Sequence, residues 1–442
     1  MGKQKNEKET RMANSTVRKK THWQRWLVLL FVSMVMFGSY YIYDSLSPIN
    51  DYIQQSMGLD NAKFGLLFSF YALPNLLFLL VIAGFLLDRL GVKKAGTFYV
   101  FLILLGSLIT SLGAGKSFIV MLIGRIVFGF GSEAALLVSN KAIARWFKGK
   151  ELGFAYGLNI TVMRLGTILA LNSAAQIADW TGTWRWSVWA GTIVMFVSFI
   201  CFLIYLVMDR DVDREIELDT EEKIVVKDIW KLNAAFWLIS LLCVTFYSAI
   251  FPFANHAPRF LQMKFGLTAA QGGRYTSLIM TASMIFTPIL GFLVDKLGHR
   301  GKIMLVGSLM LIPAHLLLGL TALPPALSFI ILGISFSLVP AAMWPAIPIL
   351  VQEKFLGTAF GIIAWIQMFG LFIFPWLAGR VVDASGGDYT NMELMFASLG
   401  ISGLVFAVLL LRSDKKLNLG LELPTSKAQA KADSHLKTKN ND

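Results

Sequence analysis

The 442 residues are 56% hydrophobic and only 15% charged, with a mean hydropathy of +0.63. A soluble domain is about half apolar and about a quarter charged, so this composition excludes an ordinary soluble protein and points to the membrane. The net charge of +13 does not indicate nucleic acid, because the basic residues lie in tails and in short loops between apolar runs.

Residues 1–25 hold eight Lys/Arg against two Glu and read as a basic cytoplasmic tail. No cleavable signal pattern is expected there, since the apolar stretch beginning near Trp26 is long enough to span. Asn6 stands where a myristoylation pattern needs Ser or Thr. Twelve apolar spans follow, at 26–44, 64–87, 95–112, 118–140, 152–178, 186–208, 234–257, 273–294, 302–320, 324–350, 355–381 and 393–411. Most suit the roughly 20 residues that a helix needs to cross a bilayer. Cys201 and Cys243 both fall inside spans and are too few for a disulfide framework or a metal cluster.

With the N-terminus in the cytoplasm, 31 of the 40 Lys/Arg lie inside, six lie outside, and Arg125, Arg164 and Arg380 lie within spans. This asymmetry orients the chain with both termini cytoplasmic. Trp180, Trp184, Trp186 and Trp189 are expected to form an outer aromatic belt. The polar segment 209–231, with alternating charges, is expected to link an N-terminal half, 26–208, to a C-terminal half, 232–411. Residues 412–442 read as a second basic tail.

The halves repeat. GFLLDRLGVKK at 84–94 returns as GFLVDKLGHRGK at 291–302, an offset of 207. Gly157, Gly166, Asp179 and Gly182 of span five return as Gly361, Gly370, Asp383 and Gly386 of span eleven, an offset of 204. Two six-helix halves in parallel repeat are expected of a carrier that rocks around a central site. The repeat fails at charged positions, because Arg164 aligns with Met368 and Glu133 falls opposite the apolar stretch around Val339. Polar recognition is therefore expected in the N-terminal half.

Asp88-Arg89 and Asp295-Lys296, each in a Gly-x-x-x-Asp-Arg/Lys-x-Gly loop, resemble the loop motif of the major facilitator superfamily. The resemblance implies that each Asp caps a neighbouring helix N-terminus and pairs with Arg across the cytoplasmic face. Val92 departs from the usual basic residue. Gly124-Arg125-x-x-x-Gly129-x-Gly131 resembles the fourth-helix motif of that family, where small residues let helices approach closely. For Arg125 two roles stay open: coupling to protons, or holding helices together by bonding carbonyls.

Glu133 and Arg164 are charges inside apolar spans, and such charges are by default functional. At 1.5 Å per residue, Glu133 lies roughly 10 Å and Arg164 roughly 18 Å from the cytoplasmic edge. The axial gap of about 8 Å is awkward for a direct salt bridge and suits a ligand with an amine at one end and a carboxylate at the other. Arg clamps a carboxylate bidentately and Glu accepts from an ammonium. The alternative is a structural ion pair with no ligand. Tyr40 and Tyr43 precede Asp44 at the outer end of span one, where Asp44 is as readily a rim residue as a ligand. Tyr247 precedes Phe251-Pro252-Phe253, whose proline is expected to break span seven and form a gate; Trp344-Pro345 is expected to interrupt span ten and wall the cavity. His315 reads as a packed residue of a peripheral helix.

No hydrolase, zinc-protease or phosphate-loop signature is found. The Gly-x-x-x-Gly-Pro motif of drug antiporters and the Glu-x-x-Glu-Arg motif of proton-coupled oligopeptide carriers are absent too. Further segments resemble the lysosomal dipeptide transporter branch of the superfamily: Phe37-Gly-Ser-Tyr40, Pro74-Asn75, Trp146-Phe-Lys-Gly-Lys-Glu-Leu152, Arg164-x-Gly166, Trp344-Pro345 and Leu356-Gly-Thr-Ala359. That resemblance, covering spans one to eleven, implies that Glu133 and Arg164 hold the two ends of a dipeptide and that Trp344 lines the site. The N-terminal tail shows no acidic dileucine sorting signal, so lysosomal targeting is not carried over; a cell membrane is expected, or an organelle membrane if the chain is eukaryotic.

The expectation is an all-α membrane protein of twelve transmembrane helices in two pseudo-symmetric halves, the major facilitator fold. It is expected to carry short peptides by alternating access without an obligatory ion, to catalyse no reaction, and to need no cofactor or metal. The expected partners are a small peptide or amino acid and the lipid bilayer, with no nucleic acid; the protomer is expected to be a monomer, an accessory subunit staying open. Two other readings are a proton-coupled carrier of amino acids or small organic anions, with Glu133 as its proton site, and a non-transporting sensor or scaffold.

Overall fold

A computed structural model describes residues 22–77, 79–147, 151–209, 232–351, 355–424 and 427. The linker residues 210–231 and most of both tails, on which several sequence expectations fall, lie outside the described residues. The described chain is helical: α1 (His22–Asp44), α2 (Asn50–Met57), α3 (Asn61–Leu76), α4 (Leu79–Gly113), α5 (Phe118–Phe147), α6 (Leu152–Thr181), α7 (Arg185–Met208), α8 (Ala234–Phe265), α9 (Ala269–Leu297), α10 (Arg300–Leu320), α11 (Ala326–Leu350), α12 (Leu356–Ala384) and α13 (Thr390–Leu417).

Eleven of these helices are long and apolar enough to cross a membrane. The twelfth pass comes from a break within α4, where Gly91 takes φ 72° and ψ 169°. Only glycine adopts that backbone readily, so the chain turns there between Asp88-Arg89 and Lys93-Lys94. The part of α4 before Gly91 continues the pass begun by α3, and the part after it returns. Large apolar side chains such as Phe85, Ile119, Ile193, Phe292 and Leu327 are exposed. In water they would be a liability, whereas in lipid they are the solvent-facing surface of a bundle whose backbone bonds are satisfied within helices.

Several sequence expectations change. The first helix begins at His22, a few residues before the apolar stretch expected from 26. Pro252 does not break span seven: α8 runs from Ala234 to Phe265 through both Pro252 and Pro258. Likewise α11 runs through Pro340, Pro345 and Pro348. Each proline removes one N–H, yet packing on neighbouring helices holds a membrane helix together where an isolated one would break. Trp180 and Trp186 project outward as expected of a belt, but Trp184 is buried, packed with Leu46, Phe64 and Val188.

The largest buried apolar cluster is drawn from residues 235–421 and a second from residues 28–205. A small third group straddles the two, with Ala72 of α3 packed on Met368 and Leu371 of α12. The halves meet along two seams, α3 against α12 and α6 against α9. Along the first, a side chain on Gly65 would collide with the Pro375 carbonyl; along the second, one on Gly273 would collide with the Leu171 carbonyl. Backbones approach that closely only where glycine stands. Nearer the Asp88 end, Gly157 of α6 and Gly361 of α12 face open space.

The opposite end is sealed by polar bonds across the halves. Asp383, at the end of α12, caps the first turn of α3: it accepts from Asn61 N at 3.1 Å, Asn61 Nδ2 at 2.8 Å and Ala62 N at 2.9 Å. A carboxylate on these free N–H groups also meets the positive end of the helix dipole. Ser47 donates to the Ala254 and Asn255 carbonyls, and Asp51 pairs with Arg259 at 3.4 Å. The halves are thus bonded to each other at this end.

Candidate functional site

The first helix turns three groups inward at helical spacing, Tyr40, Tyr43 and Asp44. Tyr43 stands edge-on to Tyr71, with ring centroids 4.8 Å apart. Asp44 is not a rim residue. It is buried and accepts from the Thr167 hydroxyl of α6 at 2.6 Å, with Arg125 as the nearby cation. A carboxylate in an apolar bundle needs a donor or a counter-charge, and here it has both.

Arg125 is fully buried in the N-terminal half. Its Nε donates to the Leu67 carbonyl at 2.7 Å, and Nη1 lies 3.5 Å from the Ile42 carbonyl. The guanidinium sits 5.0–5.8 Å from the rings of Phe128, Tyr43, Phe68 and Tyr71. This aromatic cage and the two carbonyls tie α1 and α3 to α5.

Glu133 lies one helical turn beyond Gly129 on α5. Its Oε1 accepts from the Tyr71 hydroxyl at 2.7 Å. Among the described residues Oε2 has no partner. Arg164 reaches out of its own half: Nη1 donates at 2.9 Å to the Ser283 carbonyl of α9 and at 2.9 Å to Thr287 Oγ1. The guanidinium lies 5.6 Å from the Phe336 ring. Its Nε and Nη2 make no bond among the described residues. Glu133 and Arg164 do not form an ion pair, yet Tyr40 interacts electrostatically with both, as well as with Asp44 and Tyr247. Tyr40 therefore lies within electrostatic reach of both charges.

Facing them is an aromatic wall from the C-terminal half. The Trp344 indole donates to the Tyr247 hydroxyl at 3.1 Å and stacks on Phe360 at 6.1 Å. Tyr247 stacks on Phe251, one turn along α8, at 5.9 Å and 4°. Phe336 stands edge-on to both. The structure thus brings Glu133, Arg164, Tyr40, Tyr247 and Trp344 to one central region, while Tyr43 belongs to the Arg125 cage.

The loop residues lie elsewhere. Asp88 and Arg89 are exposed, and Asp88 pairs with Lys141 of α5 at 2.7 Å, within its own half. The arginine partner implied for it is thus replaced by a lysine. Asp295 and Lys296 are exposed, with Asp295 in electrostatic reach of Arg300. The first turn of α10 is capped by Glu422, whose Oε1 accepts from Gly301 N at 3.0 Å. At the sealed end Tyr52 donates to Asp179 at 2.6 Å, and burial with that carboxylate beside it pushes the phenol up to about 12, so it stays a donor.

Sequence reasoning missed Tyr71, Ser283 and Thr287, which lie unremarked inside apolar spans. It also missed Glu393. His315 is packed as expected, but its Nδ1 lies 2.8 Å from Glu393 Oε2, both side chains fully buried.

The sequence matches the Major Facilitator Superfamily over residues 29–375 and 258–439. The chain belongs to that superfamily. Within it the chain falls in the branch of the lysosomal dipeptide transporter MFSD1: it is 33% identical to that protein of Danio rerio over 92% of this chain and 91% of the relative. To the Homo sapiens protein of the same name it is 31% identical over 87% and 85%. The fold is shared with a mutant form of the nucleoside transporter NupG, at TM-score 0.72, 14% identity and coverage of 87% and 99%. It is also shared with a bacterial homolog of the human lysosomal transporter Spinster in an inward-facing and occupied conformation, at TM-score 0.65, 17% identity and coverage of 93% and 99%. This chain is accordingly a multi-pass membrane transporter for a small molecule, and it is not an enzyme.

Proposed function

We propose that the protein moves dipeptides and similar short zwitterions across the membrane by alternating access, as a monomeric facilitative carrier in the cell membrane with both termini cytoplasmic. The observation that carries this reading is the unpaired state of Glu133 and Arg164 around Tyr40. Each keeps half of its bonding capacity open: Glu133 Oε2 on one side, Arg164 Nε and Nη2 on the other. A peptide ammonium meets the first, and a peptide carboxylate takes the second in the two-pronged geometry that Arg favours. The aromatic wall of Tyr247, Phe251, Phe336 and Trp344 receives side chains without fixing their identity. Similarity to the dipeptide transporters above supports the same class of cargo.

The seams supply the movement. Arg164 keeps Ser283 and Thr287 on Nη1 while Nε and Nη2 take the carboxylate, so substrate capture pulls directly on a contact between α6 and α9. The central site is then exposed at one end or the other as the halves rock about it. Arg125 serves packing in this reading, since it is held by carbonyls and rings of its own half.

A second reading is a proton-coupled carrier of amino acids or small organic anions, in which Arg164 binds the anion and Glu133 is the proton site. It is favoured by 24% identity over 413 residues to the probable sulfoacetate transporter SauU of Cupriavidus necator. Thermal stabilisation of the purified protein separates the two, since a ligand stabilises by RT ln(1 + [L]/Kd). Dipeptides are expected to raise Tm in the wild type and not in Arg164→Ala. Stabilisation by sulfoacetate or monocarboxylates, with none by dipeptides, would replace the first reading by the second.

A further inference from the structure

Next to Glu133 runs a chain of hydroxyl groups that neither reading uses. The Tyr71 hydroxyl donates to Glu133 Oε1 at 2.7 Å and lies 3.1 Å from Ser132 Oγ, which in turn is 2.6 Å from Ser39 Oγ. A phenol has one proton, and an ionised carboxylate has none. With the Tyr71 proton on Glu133, the Ser132 hydroxyl can turn its proton to the Tyr71 oxygen and accept from Ser39. In that arrangement every donor in the chain is directed at the carboxylate. Hydrogen bonds aligned this way polarise one another, and those ending on a charged acceptor are about twice as strong as neutral ones.

The phenol cannot swing away. Tyr71 is buried, its ring is edge-on to Tyr43 at 4.8 Å and tilted on Phe128 at 5.2 Å, and it faces the Arg125 guanidinium at 5.8 Å. Glu133 is thereby pinned by Oε1 and offers only Oε2 to a ligand. A group that presents one fixed acceptor oxygen favours a charged donor such as an ammonium. It gains much less from the acetylated amide of the same ligand, which carries no charge and keeps a single N–H.

We propose that Tyr71 is the positioning residue that makes this site select a free amine. The inference rests on the reading of Glu133 as the amine-holding group. Ser132 and Ser39 support Tyr71 from behind and act on the ligand only through it.

Binding of Ala-Ala and of N-acetyl-Ala-Ala to full-length wild type, Tyr71→Phe and Ser132→Ala, followed by calorimetry, tests the assignment. Tyr71→Phe keeps the ring and hence the Arg125 cage. The wild type is expected to prefer the free amine by about thirtyfold or more, and Tyr71→Phe to cut that preference about tenfold. Affinity for the acetylated peptide should stay within about twofold of wild type, since no charged donor is involved. Ser132→Ala should fall between. An undiminished preference in Tyr71→Phe overturns the proposal. So does an equal loss for both peptides, which would mark Tyr71 as merely structural. A wild type without any preference for the free amine overturns the Glu133 reading itself, and this inference with it.

Discussion

Glu133 and Arg164 are held in opposite ways. Glu133 is fixed by its own half, through Tyr71 of α3. Arg164 is fixed by the other half, through Ser283 and Thr287 of α9. In the proposed reading the amine end of the site is therefore preformed, and rocking of the halves would leave it intact. The carboxylate end would be shared between halves, so that whatever takes Arg164 also acts on the seam. One group would recognise, while the other would both recognise and report occupancy to the bundle.

Changes at the shared end should be the most damaging. Arg164→Ala removes the clamp and the α6–α9 bond together, and dipeptide uptake into proteoliposomes should fall about a hundredfold or more, given the strength of buried charge-assisted bonds. Arg164→Lys should recover little, because an ammonium cannot form a two-pronged contact. At the preformed end, Glu133→Gln should raise KM for free-amine peptides about tenfold while leaving the maximal rate within a few-fold, since no seam is touched. Equal loss of rate in both variants would erase the distinction between the ends.

Two smaller effects sharpen it. Asp383→Asn weakens the cap on α3 that seals the far end, and a carboxylate at a helix N-terminus contributes about 0.3–1 kcal/mol when exposed and up to about 2 kcal/mol when partly buried. Labelling of a cysteine placed at the buried Ala254, whose carbonyl still accepts from Ser47, should rise about two- to tenfold from the sealed side. Thr287→Val removes one of two bonds to Arg164 and leaves the Ser283 carbonyl. Substrate affinity should fall about twofold as Arg164 loses part of the hold that aims Nε and Nη2, and a loss of about tenfold or more would place Thr287 on the ligand instead.

The twelve spans were legible because the hydrocarbon core demands runs of about 20 apolar residues, and the two charges because ions stand out against them. The roles of their partners were not. Tyr71 is one aromatic among many in an apolar run, and nothing local distinguishes a ring that packs from one whose hydroxyl holds a carboxylate across helices. Ser283 acts through its backbone carbonyl, which carries no side-chain signal. Pro252 and Pro345 read as breaks because propensity is judged on an isolated helix, whereas packing on neighbours carries the backbone through. Asp383 sits near a span end, where a carboxylate reads as ordinary loop polarity; its role as a cap on α3 needs the other half in place.

The central claim is that the two ends of one ligand meet two residues separately. Its most direct test is the affinity of Ala-Ala, N-acetyl-Ala-Ala and Ala-Ala-amide for wild type, Glu133→Gln and Arg164→Ala, read as a cycle of ligand against variant. Blocking the amine should weaken binding to wild type and Arg164→Ala but not to Glu133→Gln, and amidating the carboxylate should weaken binding to wild type and Glu133→Gln but not to Arg164→Ala. If both blocked peptides lose affinity equally in all three proteins, Glu133 and Arg164 do not hold the two ends of the cargo.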